Sequence, residues 1–218
     1  MNNLTNAETE LLKFYQQNKR VISRRSNEFK KLWRHGDEQQ LFAELAFCLF
    51  TPQSKAKACW DTVLILRQKG LLLEGTPPQI SKELARVRFR NNKARYLVQA
   101  RKLFCSNSNL CIRENLAVFT DNISRRQWLL QNVKGLGLKE SSHFLRNIGL
   151  DADITILDRH ILRNLHLYGV IDEVPASLSP RRYTEIEQAM LDFARHVQIP
   201  AVHLDLLLWS KETGEVFK

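Results

Sequence analysis

The stretch RQWLLQNVKGLGLKESSHFLRNIGLDADITILDRHILRNLHLY, residues 126–168, reads as helix, glycine hairpin, helix, connector and helix. Trp128, Leu129 and Leu130 give the first helix its apolar surface, and Val133-Lys134-Gly135-Leu136-Gly137 forms the hairpin. Two glycines around one leucine let the backbone reverse sharply while Leu136 turns inward. Beyond Leu138, the residues Phe144, Leu145 and Ile148 recur at helical spacing until Gly149, which suits the position just after a helix end. Such a hairpin presents backbone N–H groups and a helix N-terminus, which together bind a phosphate without reading base sequence. Asp158 stands before Arg159-His160-Ile161-Leu162 as a natural N-cap for the last helix.

Around this stretch the composition sets bounds. A chain of 218 residues, 44% of them hydrophobic and with only 8 Gly and 6 Pro, has material for one large or two small compact helical domains. The net charge of +10 is uneven: residues 1–105 carry 20 Lys and Arg against 9 Asp and Glu, and the remainder 13 against 14. A basic half suits a polyanion, because each cation that neutralises a phosphate releases counterions. No apolar run matches a membrane span, and the polar start MNNLTNAETE is unlike a secretion signal, so a cytosolic protein with no membrane partner is expected. Cys48, Cys59, Cys105 and Cys111 lack paired zinc spacing and are expected to be reduced and structural. His35, His143, His160, His166, His196 and His203 show no i,i+4 pairing; they are expected at the surface or at caps, with no catalytic metal and no cofactor.

Taken in order, Thr9 to Trp33 is a basic helix whose cations read mostly as a solvated face. Glu38 to Phe50 is strongly apolar and is expected to be buried; Pro52 in Phe50-Thr51-Pro52-Gln53-Ser54 then forces a boundary before a helix through Cys59, Trp60, Val63 and Leu64. Gly75-Thr76-Pro77-Pro78 is a turn. Lys82 to Lys102 holds eight Lys and Arg against one acidic residue, with Phe89 and Tyr96 between them, a mixture that fits a nucleic-acid groove. Cys105 to Asn109 is a polar connector, Ser179-Pro180 opens another helix, and Ala201 to Trp209 forms the last. No strand pattern of convincing length and no internal repeat is present, so the fold class is all-α.

The pattern Gly-Leu-Gly, then Lys139 two residues later, then a carboxylate at Asp158 resembles the helix-hairpin-helix-GPD superfamily of DNA base-excision glycosylases. Within it the Leu-Asp-Arg-His-Ile wording at residues 157–161 is similar to the small prokaryotic branch, the second type of 8-oxoguanine DNA glycosylase/lyase. Ile156-Leu157-Asp158 departs from the Gly-Pro-x-Asp of the superfamily name. The iron–sulfur branches carry four clustered cysteines near the C-terminus, and this chain has no cysteine after Cys111.

The resemblance implies two helical lobes flanking a DNA-binding cleft. Residues 41–157 would form a central lobe ending in the helix-hairpin-helix at about 126–148, and residues 1–40 plus 158–218 the other. It implies base-excision repair by a bifunctional enzyme, both an N-glycosylase and an abasic-site lyase, acting as a monomer on duplex DNA that contains 8-oxoguanine or abasic sites. Lys139 would be the amine nucleophile and Asp158 the carboxylate that stabilises charge on the sugar. Schiff-base chemistry needs a neutral amine, which the helix N-terminus and burial between lobes would favour. Lys134, Gly135 and Gly137 would face the phosphates. Gln53 would enter the base stack, Phe89 would stack on the extruded base, Trp209 would line the pocket, and Lys218, on a tail folded back, would help recognise the oxidised purine. From the residues alone, Lys139 is also an ordinary surface lysine, Asp158 a cap, Gln53 a turn residue and Phe89 core filler. A glycosylase for another lesion, or a DNA-binding module without activity, would use the same hairpin.

Overall fold

In the computed structural model, which describes residues 4–107 and 109–218, twelve α-helices carry the fold. They are α1 Asn6–His35, α2 Glu38–Phe50, α3 Ala56–Gln68, α4 Leu71–Glu74, α5 Pro77–Glu83, α6 Arg90–Leu103, α7 Ile112–Ala117, α8 Asn122–Asn132, α9 Leu138–Asn147, α10 Arg159–Leu167, α11 Pro180–His196 and α12 Ala201–Thr213. The fold is all-α apart from one two-residue antiparallel pairing, β1 Cys105–Ser106 with β2 Asn109–Leu110. That pairing sits in what the sequence presents as a plain polar connector; two residues per strand are too few to show an alternating pattern.

Local chemistry accounts for most boundaries. α1 starts at a reciprocal cap, with Glu8 N donating to Thr5 Oγ1 and Thr5 N to Glu8 Oε2, and α2 repeats the device with Asp37 and Gln40. Pro77 and Pro78 lie in the first turn of α5, where a missing N–H costs nothing. After α9, Gly149 takes φ +82° and its N–H reaches the Arg146 carbonyl, while Leu150 N reaches Leu145 O, a Schellman closure. A Cβ at Gly149 would lie 2.6 Å from Lys30 Cα, so this glycine also lets α1 pass close by. The last helix runs one turn past Trp209 to Thr213, where Gly214 at φ +79° ends it and lets residues 215–218 turn back.

Buried apolar side chains form two clusters. The first is drawn from residues 41–154, with α2 at its centre: every residue from Leu41 to Phe50 is buried. Around it lie α3, α6, α7 and α9. The second joins α1, through Leu11, Tyr15, Ile22 and Phe29, to residues of the 157–208 segment, on α10, α11, α12 and the turns beside them. The intervals of four and seven along α1 put one stripe of a helix about 45 Å long against α12.

Charged groups tie the two clusters together. Arg126 of α8 meets Glu187 of α11 through two bonds of 2.5 and 2.7 Å; Glu187 also accepts the Thr155 amide at 2.8 Å. Arg146 of α9 lies 3.3 Å from Asp205 of α12. Lys218 Nζ, at the end of the returning tail, pairs with Glu44 of α2.

Candidate active site

The hairpin joins α8 to α9. Leu136 is buried beneath it, with its amide on the Val133 carbonyl at 3.2 Å, while Lys134 and Gly135 are exposed. Gly135 holds φ +100°, and a Cβ there would come 2.5 Å from Tyr96 Cδ2, so the hairpin rests on the Tyr96 ring. Lys134 Nζ stands 5.9 Å from that ring's centre. The Gly137 amide donates to Glu140 Oε2 at 3.2 Å and opens α9.

Behind the hairpin, a cleft of about 660 Å³ is lined by Gln53, Lys139, His143, Asp158, Trp209 and Lys218, among others. Five of these six are sequence-derived candidates that come from four separate parts of the chain. Lys139 sits in the first turn of α9; its side chain is 24% exposed, and Nζ lies 3.7 Å from Glu140 Oε1. Asp158 caps α10, its Oδ1 accepting the Ile161 amide at 2.9 Å. Capping and facing the cleft are thus compatible: one oxygen fixes the carboxylate while the side chain lines the cavity.

The tail closes one side of the cleft. Phe217 packs edge-on against Phe47 of α2 and near Trp209. Lys218 Nζ stands 3.5 Å from the centre of the Trp60 ring in addition to its pairing with Glu44. Burial pushes the Lys218 amine down, and the Glu44 carboxylate opposes that shift. Glu44 in turn accepts Asn147 Nδ2 at 2.9 Å.

One candidate, Phe89, lies elsewhere, and one histidine differs from expectation. Phe89 does not line the cleft; it is 53% exposed at φ +59°, with the Arg88 guanidinium 5.4 Å from its ring centre. His143 is not a surface or capping histidine: it is buried, edge-on to Phe47 at 5.4 Å. One turn beyond Lys139 on α9, it faces inward, and burial foremost, with Arg146 and Lys139 adding, pushes its pKa well below the usual range, so the ring is neutral.

Composition and motif left other members of this region unmarked: Glu140, His143, Arg146, Asp205 and Glu44. The only signal available was spacing. Lys139, His143 and Arg146 lie four and three residues apart and share one face of α9, and Asp205 precedes Trp209 by one turn on α12. Among the described residues no group of three or more His, Cys, Asp or Glu is placed to hold a metal ion, and no helix is long and apolar enough to cross a membrane.

Comparison with known proteins gives one consistent answer. Residues 22–199 match the family described as 8-oxoguanine DNA glycosylase. The chain is 41% identical over 209 residues to an 8-oxoguanine DNA glycosylase/AP lyase of Fusobacterium nucleatum, covering 96% of each. The crystal structure of the 8-oxoguanine DNA glycosylase of Thermotoga maritima is similar with a TM-score of 0.82 at 33% identity, over 97% of this chain and 98% of that one. The Methanocaldococcus jannaschii 8-oxoguanine glycosylase/lyase, in complex with a 15mer DNA containing 8-oxoguanine, is similar at TM-score 0.84 and 33% identity, over 96% of this chain and all of that one. With more than half of its length matched and relatives above 30% identity along nearly all of it, the chain belongs to the 8-oxoguanine DNA glycosylase family.

Proposed function

We propose that this protein removes 8-oxoguanine from duplex DNA and then cleaves the strand at the abasic site, with Lys139 as nucleophile and Asp158 as its carboxylate partner. The observation that carries this reading is the shared cleft: Lys139 and Asp158, 19 residues apart, line one cavity with Trp209 and Lys218. The chain acts as two lobes, 41–157 and 1–40 plus 158–218, which follow the two apolar clusters except at their border, where Leu157 packs with the second, and the duplex is held at the exposed hairpin. Lys134 and the backbone around Gly135 and Gly137 grip phosphates there. Extruding the damaged nucleotide costs a few kcal/mol of unstacking. Gln53, exposed at the rim, fills the gap; Phe89 stacks on the base; Trp209 and Lys218 contact it. An exposed phenylalanine held at positive φ is a costly arrangement without a partner, which supports a ligand for Phe89.

In the chemical step the amine of Lys139 attacks C1′ of the sugar. The bond from C1′ to the base breaks, and its electron pair leaves with the purine, which takes up a proton. Asp158 stabilises the positive charge that develops on the sugar and helps to accept the proton from Lys139. Ring opening gives an imine between Lys139 and C1′. Loss of a C2′ proton then expels the 3′ phosphate and nicks the strand.

Borohydride trapping on a duplex with a single 8-oxoguanine tests this directly. Wild type is expected to form a covalent adduct and Lys139→Gln to form none. An adduct of equal yield from Lys139→Gln removes Lys139 from the mechanism. Release of thymine glycol, with 8-oxoguanine untouched, refutes the substrate.

A further inference from the structure

Lys93 of α6 is buried, at 4% exposure, and among the described residues no carboxylate is bonded to it. Its ammonium instead donates to the Phe50 carbonyl at 2.7 Å, the Pro52 carbonyl at 2.7 Å and Ser54 Oγ at 3.2 Å. Three N–H groups meet three acceptors, so the group is saturated. Two of the acceptors are carbonyls at and just past the C-terminal end of α2, where the helix dipole favours a cation. All three bracket Gln53, which holds φ +55°.

A second set of bonds leads from the same residue to the neighbouring loop. Ser54 Oγ accepts the Arg88 amide at 3.0 Å, and the Lys93 amide donates to the Phe89 carbonyl at 3.0 Å in the first turn of α6. Gln53 and Phe89, both non-glycine residues at positive φ, are therefore held by one lysine, through its side chain on one loop and its backbone on the other. Backbone in this region costs on the order of 1–3 kcal/mol per residue and persists only where the surroundings impose it.

We propose that Lys93 is a positioning residue for base extrusion, which fixes the Gln53 loop and the Phe89 loop relative to each other so that wedge and stacking ring act as one unit. The proposal rests on the roles given to Gln53 and Phe89 above. A hydrophobic residue would fill the same space at less desolvation cost, but would leave the Phe50 carbonyl with only the weak Cys59 Sγ–H donor at 3.2 Å and the Pro52 carbonyl with only the long Ser54 Oγ–H bond at 3.4 Å. Burial foremost pushes the Lys93 amine down to about 8. Cys59 on α3 and Glu140 on α9 favour its charge, while Arg88 and Lys139 oppose it.

The test compares wild type, Lys93→Met and the milder Ser54→Ala. Hydrogen exchange without DNA reads the loops, and two single-turnover assays read function: release of 8-oxoguanine from a duplex, and borohydride trapping at a preformed abasic site, where no base has to leave the stack. In Lys93→Met the Arg88 amide and residues 51–55 are expected to exchange about tenfold faster or more, with α9 unchanged. Base release falls by about 10- to 100-fold, the scale of an ångström-sized misplacement, and trapping falls by much less. Ser54→Ala moves both readouts in the same direction by smaller factors. Unchanged exchange in the two loops overturns the proposal, as does an equal loss in release and trapping, which would mark a general defect. If wild type itself releases no 8-oxoguanine, the proposed function fails, and the exchange data then decide the coupling of the loops by themselves.

Discussion

Two buried arginine–carboxylate pairs cross the seam between the clusters, and they are built differently. Arg126 and Glu187 are complete: both carboxylate oxygens receive guanidinium N–H groups, Ser142 Oγ takes another at 3.1 Å, and the Thr155 amide adds to Glu187. Arg146 and Asp205 approach to 3.3 Å, yet Nε and Nη1 of the arginine and Oδ2 of the aspartate find no hydrogen-bond partner among the described residues. Arg146 instead lies over the Phe29 ring, 5.0 Å from its centre. Burial raises the Asp205 pKa to about 6; the charge of Asp158 adds to that rise, while Arg146 and Lys139 oppose it. The complete pair joins the helices of the two clusters, and the incomplete one shares its electrostatics with the two residues proposed to carry the chemistry.

The largest test breaks the complete pair. Arg126→Met leaves Glu187 buried without its partner and is expected to cost about 3–5 kcal/mol in chemical denaturation. The double variant with Glu187→Leu is expected to recover most of that loss. A double variant as unstable as the single one would mean that the hydrogen bonds to Thr155 and Ser142, rather than the stranded charge, dominate.

Asp205 offers the next contrast. Its folded pKa is raised, from 3.8 to about 6, so the native state keeps this proton where the unfolded chain has lost it. Its favourable contribution is complete below about pH 4 and is lost as pH rises to about 6, a change on the order of 3 kcal/mol. Thermal melts across that window should show a component falling with pH in wild type that is absent in Asp205→Asn. Identical pH profiles for the two would place the Asp205 titration elsewhere.

Gly149→Ala loosens only the Arg146 end, by setting a Cβ against the Lys30 backbone at positive φ. A loss of about 2 kcal/mol is expected from the strain. The smallest change, Tyr183→Phe, removes the hydroxyl that donates to the Thr155 carbonyl at 2.8 Å beside the complete pair, for about 1 kcal/mol. Melting curves rank these two; the reverse order would mean that the Arg146 end is the more adaptable.

Local signals made much of this legible in the sequence. The helix-hairpin-helix, the buried α2 and the helix opened by Ser179-Pro180 follow from apolar spacing, glycines, prolines and caps, which act within a few residues. The meeting of Lys139 and Asp158 in one cleft was legible because each stands in a motif at a helix start. Arg146, Asp205, Glu44 and Lys93 were not, because the partners of their side chains lie 39 or more residues away and no periodicity encodes such a meeting. His143 shows the same limit from the other side: the sequence contains its place on the helix but not the Phe47 ring that covers it.

The unequal make-up of the two apolar clusters bears on how the chain acquires its shape during synthesis. The first is drawn from one continuous run, residues 41–154, and can close as soon as that run has left the ribosome. The second needs α1, made before that run, to meet helices made after it. Until α11 and α12 emerge, the apolar stripe of that long helix lacks the surface it packs on, and the nascent chain passes through a stage in which the first cluster can close while α1 is still waiting for its partner.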